Sequence, residues 1–462
     1  MKDRIPRILI AGTGSGCGKT TVTCGLLSAL RQSGMRTSAF KCGPDYIDPM
    51  FHKEVLGTDS GNLDLYLCGE ETVKYLLARG GRRAEMTVTE GVMGLYDGRG
   101  FNDDRCSANH ISRLTETPVV LVADVKGKSL SLAAELSGYV NFRENRIRGV
   151  ILNHCSAAMY PEYAELIRRE TGLPCFGYLP NVPEAEVGSR HLGLITAAEI
   201  AGIRQKMDAL GKVAGECLNM DGLRALAETA PELSYEEPEI LREISPGARY
   251  PVAIAKDRAF CFYYRDALEL LEQMGAELIP FSPLTDSHLP TGSCGLILGG
   301  GYPELYAETL SGNKTLLKEI RTAVRGGLPT YAECGGFMYL GQSITTAEGR
   351  FPMAGAIPGN SRVTGHLVRF GYKELTARRD NLLCRRGGRI RCHEFHYSDT
   401  DDYGDGFEAV NSRGRSWETG QVSPSLYAGY PHLHLWGNPE FARSFMDAVR
   451  RTAQGEGGIT WK

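Results

Sequence analysis

The sequence has no C-x-x-C pair, no long apolar run, no basic excess and no internal repeat. Its 13 cysteines are an odd number scattered from Cys17 to Cys392. That spacing suits neither a disulfide framework nor a zinc site, and it predicts a reducing, cytoplasmic setting. No stretch approaches the ~18 uninterrupted apolar residues of a membrane span. The opening Met1-Lys2-Asp3-Arg4-Ile5-Pro6 lacks the apolar core of a signal peptide. With 52 basic and 55 acidic residues, the net charge is −3. Nothing in that balance favours nucleic acid or an anionic membrane surface as a partner. A period of 20–50 residues is also missing, which argues against solenoids and propellers.

Glycine is abundant instead, at 56 of 462 residues, where a typical chain carries ~7%. The excess falls in tight loops. Hydrophobic residues at 42% and charged residues at 23% are ordinary for a globular protein. At about 150 residues per domain the length predicts two or three domains.

Two stretches read as starts of parallel sheets. Arg7-Ile8-Leu9-Ile10-Ala11 runs into glycines, and Val22, Leu26, Leu27 and Leu30 then recur at helical spacing before Gly34. Buried strands are expected at Met86–Thr89, Val119–Ala123, Gly149–Asn153 and Cys175–Leu179, separated in part by helices. Residues 231–251 mix Pro231, Pro238, Pro246 and Pro251 with glutamates and read as a linker. A second start follows at Val252–Ala255, with a helix carrying Tyr264, Leu268, Leu271 and Met274 on one face. Strands are expected at Leu278–Phe281, Gly295–Leu298 and Thr330–Ala332, then shorter mixed β segments from about 350 to 436. The fold class is therefore α/β, with domains at 1–230 and 252–450 joined by 231–251.

Gly12-Thr13-Gly14-Ser15-Gly16-Cys17-Gly18-Lys19-Thr20-Thr21 lies between the first strand and the first helix. Gly14, Gly16 and Gly18 let the backbone curl so that N–H groups and a helix N-terminus face phosphate oxygens. Lys19 would reach the β/γ oxygens, and the Thr20 hydroxyl would take a Mg²⁺ position, with Thr21 beside it. The strict G-x-x-x-x-G-K-T pattern fails at Thr13, the place of its first glycine. Carboxylates that close a Mg²⁺ shell come from strand ends on the same sheet edge. Two segments supply them: Lys41-Cys42-Gly43-Pro44-Asp45-Tyr46-Ile47-Asp48-Pro49, and Thr89-Glu90-Gly91-Val92-Met93-Gly94-Leu95-Tyr96-Asp97-Gly98. Any one of these acids alone would read as a turn former or helix cap.

Pro329-Thr330-Tyr331-Ala332-Glu333-Cys334-Gly335-Gly336 is a strand ending in a cysteine among small residues. A tight turn there exposes a thiol to the N–H groups that follow, as a nucleophile requires. Gly299-Gly300-Gly301-Tyr302-Pro303-Glu304 can line an oxyanion site. Tyr430-Pro431-His432-Leu433-His434 supplies a base about 100 residues later. His393-Glu394-Phe395-His396 has spacing three, not the H-E-x-x-H spacing, and is expected to be a hydrogen-bonded pair at a loop or domain interface, with no metal.

Taken together, Gly12–Thr21, Lys41–Pro49, Thr89–Gly98, Gly299–Glu304, Ala332–Gly336, His393–Ser398 and His432–His434 resemble the cobyrinic acid a,c-diamide synthase family over about residues 5–450. The most specific pieces are K-x-G-P-D-Y-I-D-P and E-G-V-M-G-x-Y-D-G. The resemblance implies an N-terminal P-loop-type, dethiobiotin-synthetase-like ATP-binding domain and a C-terminal class I glutamine amidotransferase-like α/β domain. It implies ATP and Mg²⁺ as cofactors, and amidation of the a and c carboxylates of a corrinoid macrocycle carboxylic acid with L-glutamine, by a monomer or homodimer. By the same resemblance Cys334 is the nucleophile and His432 activates it. Glu90 binds Mg²⁺ with Thr20, Asp45 and Asp97 handle nucleotide, metal or intermediate, and Asn153 lies near adenine. An internal path for ammonia is expected.

The sequence departs from that pattern in places. Ala332 stands where many amidotransferases have Gly, Cys392 where Gly is expected and Gly429 where Ser is common. His434 occupies the place of the glutamate that other amidotransferases carry two residues after the histidine, so the third triad member stays open. The same amidation of Ni-sirohydrochlorin or hydrogenobyrinic acid, a cobyric acid synthase-like amidase and a nucleotide-switch module also stay open. Glutaminase activity separates the last from the rest.

Overall fold

The computed structural model describes residues 1–183, 202–244 and 247–455. The chain divides into two compact units: residues 1–65 with 69–237, and residues 66–68 with 238–462.

The first unit is built on seven parallel strands: β1 (Arg7–Gly12), β2 (Thr37–Cys42), β3 (Asp59–Leu63), β4 (Met86–Glu90), β5 (Val119–Asp124), β6 (Ile147–Asn153) and β7 (Cys175–Leu179). Their order across the sheet is β3-β2-β4-β1-β5-β6-β7. Helix α1 (Lys19–Gln32) packs Val22, Leu26, Leu27 and Leu30 against Ile8, Ile10, Val88, Val120 and Val122. Each such side chain contributes roughly 1.5–3 kcal/mol by leaving water. The apolar strands stand where the sequence places them. Strands β2 and β3 were not among those expected, because T-S-A-F-K-C and D-S-G-N-L carry little apolar signal. Their polar side chains are satisfied inside the sheet: Ser38 Oγ lies 3.0 Å from Thr87 Oγ1, and Asn62 Nδ2 donates to Gly43 O at 2.9 Å. Helix α2 (Ile47–Glu54) follows β2.

The second unit contains β8 (Tyr250–Ala255), β9 (Ala276–Phe281), β10 (Gly295–Leu298) and β11 (Thr330–Glu333). Its largest sheet runs β9-β8-β10-β11-β14 in parallel, where β14 is Leu426–Gly429, with Gln421–Ser423 added antiparallel at one edge. An antiparallel sheet includes β12 (Arg369–Ala377), β13 (Arg389–His396) and β15 (His432–Leu433). A four-stranded mixed sheet completes the mixed β region. The helix after β8 runs Arg265–Gln273 and buries Ala267, Leu270 and Leu271, so Leu268 sits beside the buried stripe rather than in it. His393 and His396 belong to strand β13, which corrects the loop assignment. Their buried or half-buried positions come from pairing with β12 and β15.

Within 231–251 the described residues form a two-residue strand (Leu233–Ser234), a short helix (Glu239–Arg242) and the start of β8; Pro246 lies outside them. Among the described residues no helix is long and apolar enough to cross a membrane.

Candidate functional site

In the first unit the glycine loop links β1 to α1. Gly16 and Gly18 take φ of +78° and +97°, backbone that L side chains rarely adopt. A Cβ on Gly18 would stand 2.0 Å from Asn153 Nδ2. Asn153 ends β6, is buried, and donates from that nitrogen to Cys17 O at 3.1 Å. The asparagine thus braces the loop, a role its sequence position did not reveal. Gly14 has open space around it, and Thr21 is exposed on the first turn of α1. Lys19 is buried and its ammonium donates to Gly14 O at 2.8 Å. Burial pulls its pKa down.

Pairing of β1 with β4 and of β4 with β2 brings the acids to this loop. Thr20 Oγ1 donates to Glu90 Oε1 at 2.6 Å. Glu90 is fully buried and lies directly across from Lys41, whose Nζ is 2.7 Å from Glu90 Oε1 and 2.5 Å from Asp48 Oδ2. Burial pushes Glu90 up to about 7 against the pull of Lys41. Lys41 itself is held well above its usual value, because Glu90 and then Asp48 outweigh its burial. Asp48 is held low by Lys41 and His52 although burial opposes.

His52, one turn after Asp48 on α2, is fully buried and sits with Nε2 3.7 Å from Glu90 Oε2 and Nδ1 3.1 Å from Ser60 Oγ. Burial lowers it to about 4, so it is neutral near pH 7. Asp45 Oδ1 accepts from Ile47 N at 2.8 Å and Asp48 N at 3.1 Å, capping the start of α2. Burial, then Asp48, raise it to about 6. Asp97 Oδ2 accepts from Gly94 N at 2.8 Å, and its charge acts on Lys19. Sequence reasoning passed over Lys41 and His52. The i, i+4 pair Asp48/His52 beside a lysine at a strand end was the available signal.

In the second unit Cys334 joins β11 to the helix Gly335–Leu340 at φ +46° and ψ −100°. A non-glycine residue there carries about 1–3 kcal/mol of strain, which only its surroundings can hold. Those surroundings are visible. Cys334 N donates to Gly429 O at 2.8 Å and Gly336 N to Gly299 O at 3.0 Å. A Cβ on Gly336 would stand 2.1 Å from Leu298 O, and one on Gly335 2.9 Å from Pro303 Cδ. The thiol is largely buried, 8% exposed.

Gly299 N donates to Tyr263 OH at 2.9 Å, so that N–H is already committed. Gly300 lies against the His432 ring: a Cβ there would meet Cε1 at 2.6 Å. His432 hydrogen-bonds Cys334. Burial alone would lower its imidazole, but Cys334 and then Glu333 outweigh it and raise it to about 10. His434, by contrast, is fully buried against the Tyr264 ring at 4.6 Å, and burial drops it to about 3. It is neutral and cannot replace a carboxylate. His393 lies directly across from His432 on the neighbouring strand.

A phosphate loop on a parallel sheet in one unit and a strained cysteine beside a raised histidine in the other define a nucleotide-binding glutamine amidotransferase. Residues 8–195 match the CobQ/CobB/MinD/ParA nucleotide binding domain, and residues 251–440 match the CobB/CobQ-like glutamine amidotransferase domain. The chain is 41% identical over 445 residues to a cobyrinate a,c-diamide synthase of Caldanaerobacter subterraneus subsp. tengcongensis, covering 95% of this chain and 97% of that one. Proteins of that name from Clostridium tetani and Salmonella typhimurium are 38% and 39% identical, covering 95% and 98% of this chain and 99% and 100% of theirs. The chain belongs to the cobyrinate a,c-diamide synthase family.

Proposed function

We propose that this protein amidates the a and c side-chain carboxylates of cobyrinic acid in cobalamin biosynthesis, using ATP and glutamine. The reading is carried by similarity across nearly the whole of both chains, which keeps the two units together. Residues 1–230 act as the synthetase and 252–450 as the amidotransferase, joined through 231–251. A carboxylate is a poor acyl donor, so ATP converts it to an acyl phosphate. Lys19 and the amides of Gly14, Gly16 and Gly18 balance charge on the transferred phosphoryl group. Asp97, whose charge acts on Lys19, and Asp45, which caps the start of α2, handle nucleotide, metal or intermediate, and the Asn153 brace keeps the loop in shape for the nucleotide. Thr20 and Glu90 fit a Mg²⁺ ion. Both offer hard oxygens, and Glu90 Oε2 is enclosed with no hydrogen bond among the described residues. Bound there, the ion would neutralise phosphate charge.

Cys334 supplies the nitrogen. Its thiolate attacks the side-chain carbonyl carbon of glutamine. The C–N bond breaks, and His432 hands its proton to the departing nitrogen, releasing ammonia and leaving a thioester. Water then hydrolyses the thioester to glutamate and restores the thiol. Ammonia displaces phosphate from the activated carboxyl. The free cysteines among the described residues support a cytoplasmic setting, and the protein acts as a monomer or homodimer.

The test is incubation with ATP, Mg²⁺, glutamine and each candidate macrocycle, followed by counting of added amides by mass. Two amides on cobyrinic acid are expected. Amidation of Ni-sirohydrochlorin or hydrogenobyrinic acid in preference would move the reading to that macrocycle.

A further inference from the structure

We infer that Glu333, the residue immediately before the nucleophile, is the positioning carboxylate of the amidotransferase site. The inference rests on reading Cys334 and His432 as the glutaminase pair. Glu333 ends strand β11 and is 5% exposed. Two donors fix its Oε1: Leu433 N at 2.7 Å and the Tyr331 hydroxyl. The Leu433 bond spans 100 residues of sequence and ties the carboxylate to the strand that carries His432. With Oε1 pinned, Oε2 stands 3.5 Å from His432 Nδ1. The side of the ring facing Glu333 is thereby settled, and Nε2 is left for the Cys334 sulfur.

This arrangement does what a triad acid does. Its charge faces Nδ1 and stabilises the imidazolium that stands opposite a thiolate. It does so from a place where no pattern search would look. The usual position, two residues after the histidine, holds His434, which is neutral and packed on Tyr264. One carboxylate serves both neighbours: its backbone leads into the strained turn at Cys334, and its side chain orients His432. Displacement of the turn and of the base are coupled through a single residue.

A brace that merely ties β11 to Leu433 would predict a different response from a positioning charge, and substitution separates them. Glu333→Gln keeps an oxygen for Leu433 N and Tyr331 but removes the charge facing Nδ1. It is expected to lower kcat for glutamine hydrolysis by about 100-fold or more, in the range of general acid–base contributions, with KM for glutamine changed less than about threefold. Glu333→Asp, which keeps the charge at a longer reach, is expected to recover part of kcat. His432 is raised to about 10 partly by Glu333, so loss of that charge lowers it. The alkaline limb of the glutaminase pH profile then moves toward neutrality in the Gln variant. Ammonia-dependent amidation serves as the fold control for the chain.

Wild-type kcat and an unmoved alkaline limb in Glu333→Gln would overturn the inference and leave a structural brace. Equal losses in the Gln and Asp variants, with the pH profile unmoved, would do the same. Failure of the underlying reading looks different: glutamine hydrolysis would then survive Cys334→Ala in the otherwise unchanged protein.

Discussion

Lys41 Nζ lies between two carboxylates, 2.7 Å from Glu90 Oε1 and 2.5 Å from Asp48 Oδ2, with all three side chains buried or nearly so. A buried lysine survives only when such partners repay the loss of water. Removing it leaves two carboxylates enclosed without a cation. Lys41→Met should therefore destabilise the nucleotide-binding unit by about 3–5 kcal/mol, the range for breaking a buried pair from one side. Chemical denaturation of the whole protein checks this. Adding Glu90→Gln should return part of the loss, because the two residues touch and their effects are not additive. A Lys41→Met protein as stable as wild type would show that water already reaches the cluster.

Gly18 is fixed from two directions. Its φ is +97°, and a Cβ there would overlap Asn153 Nδ2, the atom that braces the loop through Cys17 O. Gly18→Ala should push Asn153 aside and open the loop while leaving the β1–α1 core intact. The expected outcome is at least tenfold weaker ATP binding by calorimetry, with little change in the thermal midpoint. Unchanged ATP affinity would mean that the loop tolerates a different path.

Cys334 and Lys19 divide the reaction between the two units. Cys334→Ala should abolish glutamine-dependent amidation and leave ammonia-dependent amidation measurable, since the thiol only releases ammonia. Lys19→Ala should stop both, because activation by ATP precedes either nitrogen source. Parallel assays with glutamine and with ammonium chloride check the pair. Loss of the ammonia reaction in a folded Cys334→Ala protein would break the proposed division.

The apolar parallel strands and the glycine loops were legible because their chemistry is local. Ile8–Ile10 and Val119–Val122 are runs of apolar residues, and Gly-Lys-Thr and Glu-Cys-Gly-Gly sit at strand ends. Strands β2 and β3 were not, since Lys41 and Asn62 are polar in sequence and buried only through partners on other segments: Glu90 and Asp48 for Lys41, Gly43 O and Asp45 O for Asn62. Glu333 escaped for a related reason. Its meaning depends on Leu433 and His432, which return to it a hundred residues later, and no spacing rule carries that distance. His393 and His396 read as a hydrogen-bonded pair at a loop or domain interface, and the pairing of β13 with β12 and β15 makes them strand residues rather than loop residues.

Glu90 offers the sharpest separation of the two chemistries. Its Oε1 takes the Thr20 hydroxyl and Lys41, while Oε2 is enclosed with no hydrogen bond among the described residues. Glu90→Gln keeps an oxygen for Thr20 and Lys41 but removes the negative charge that a divalent cation would use. Lys41 retains Asp48 as its counter-ion, so the fold should persist. Amidation from either nitrogen source should then need at least tenfold more Mg²⁺ for half-maximal rate. Glutamine hydrolysis, which rests on Cys334 and His432, should be unchanged. A Mg²⁺ titration of ammonia-dependent amidation beside a glutaminase assay measures both. An unaltered Mg²⁺ requirement at full rate would reduce Glu90 to the counter-ion of Lys41, and the metal would have to be held by Thr20 and the nucleotide alone.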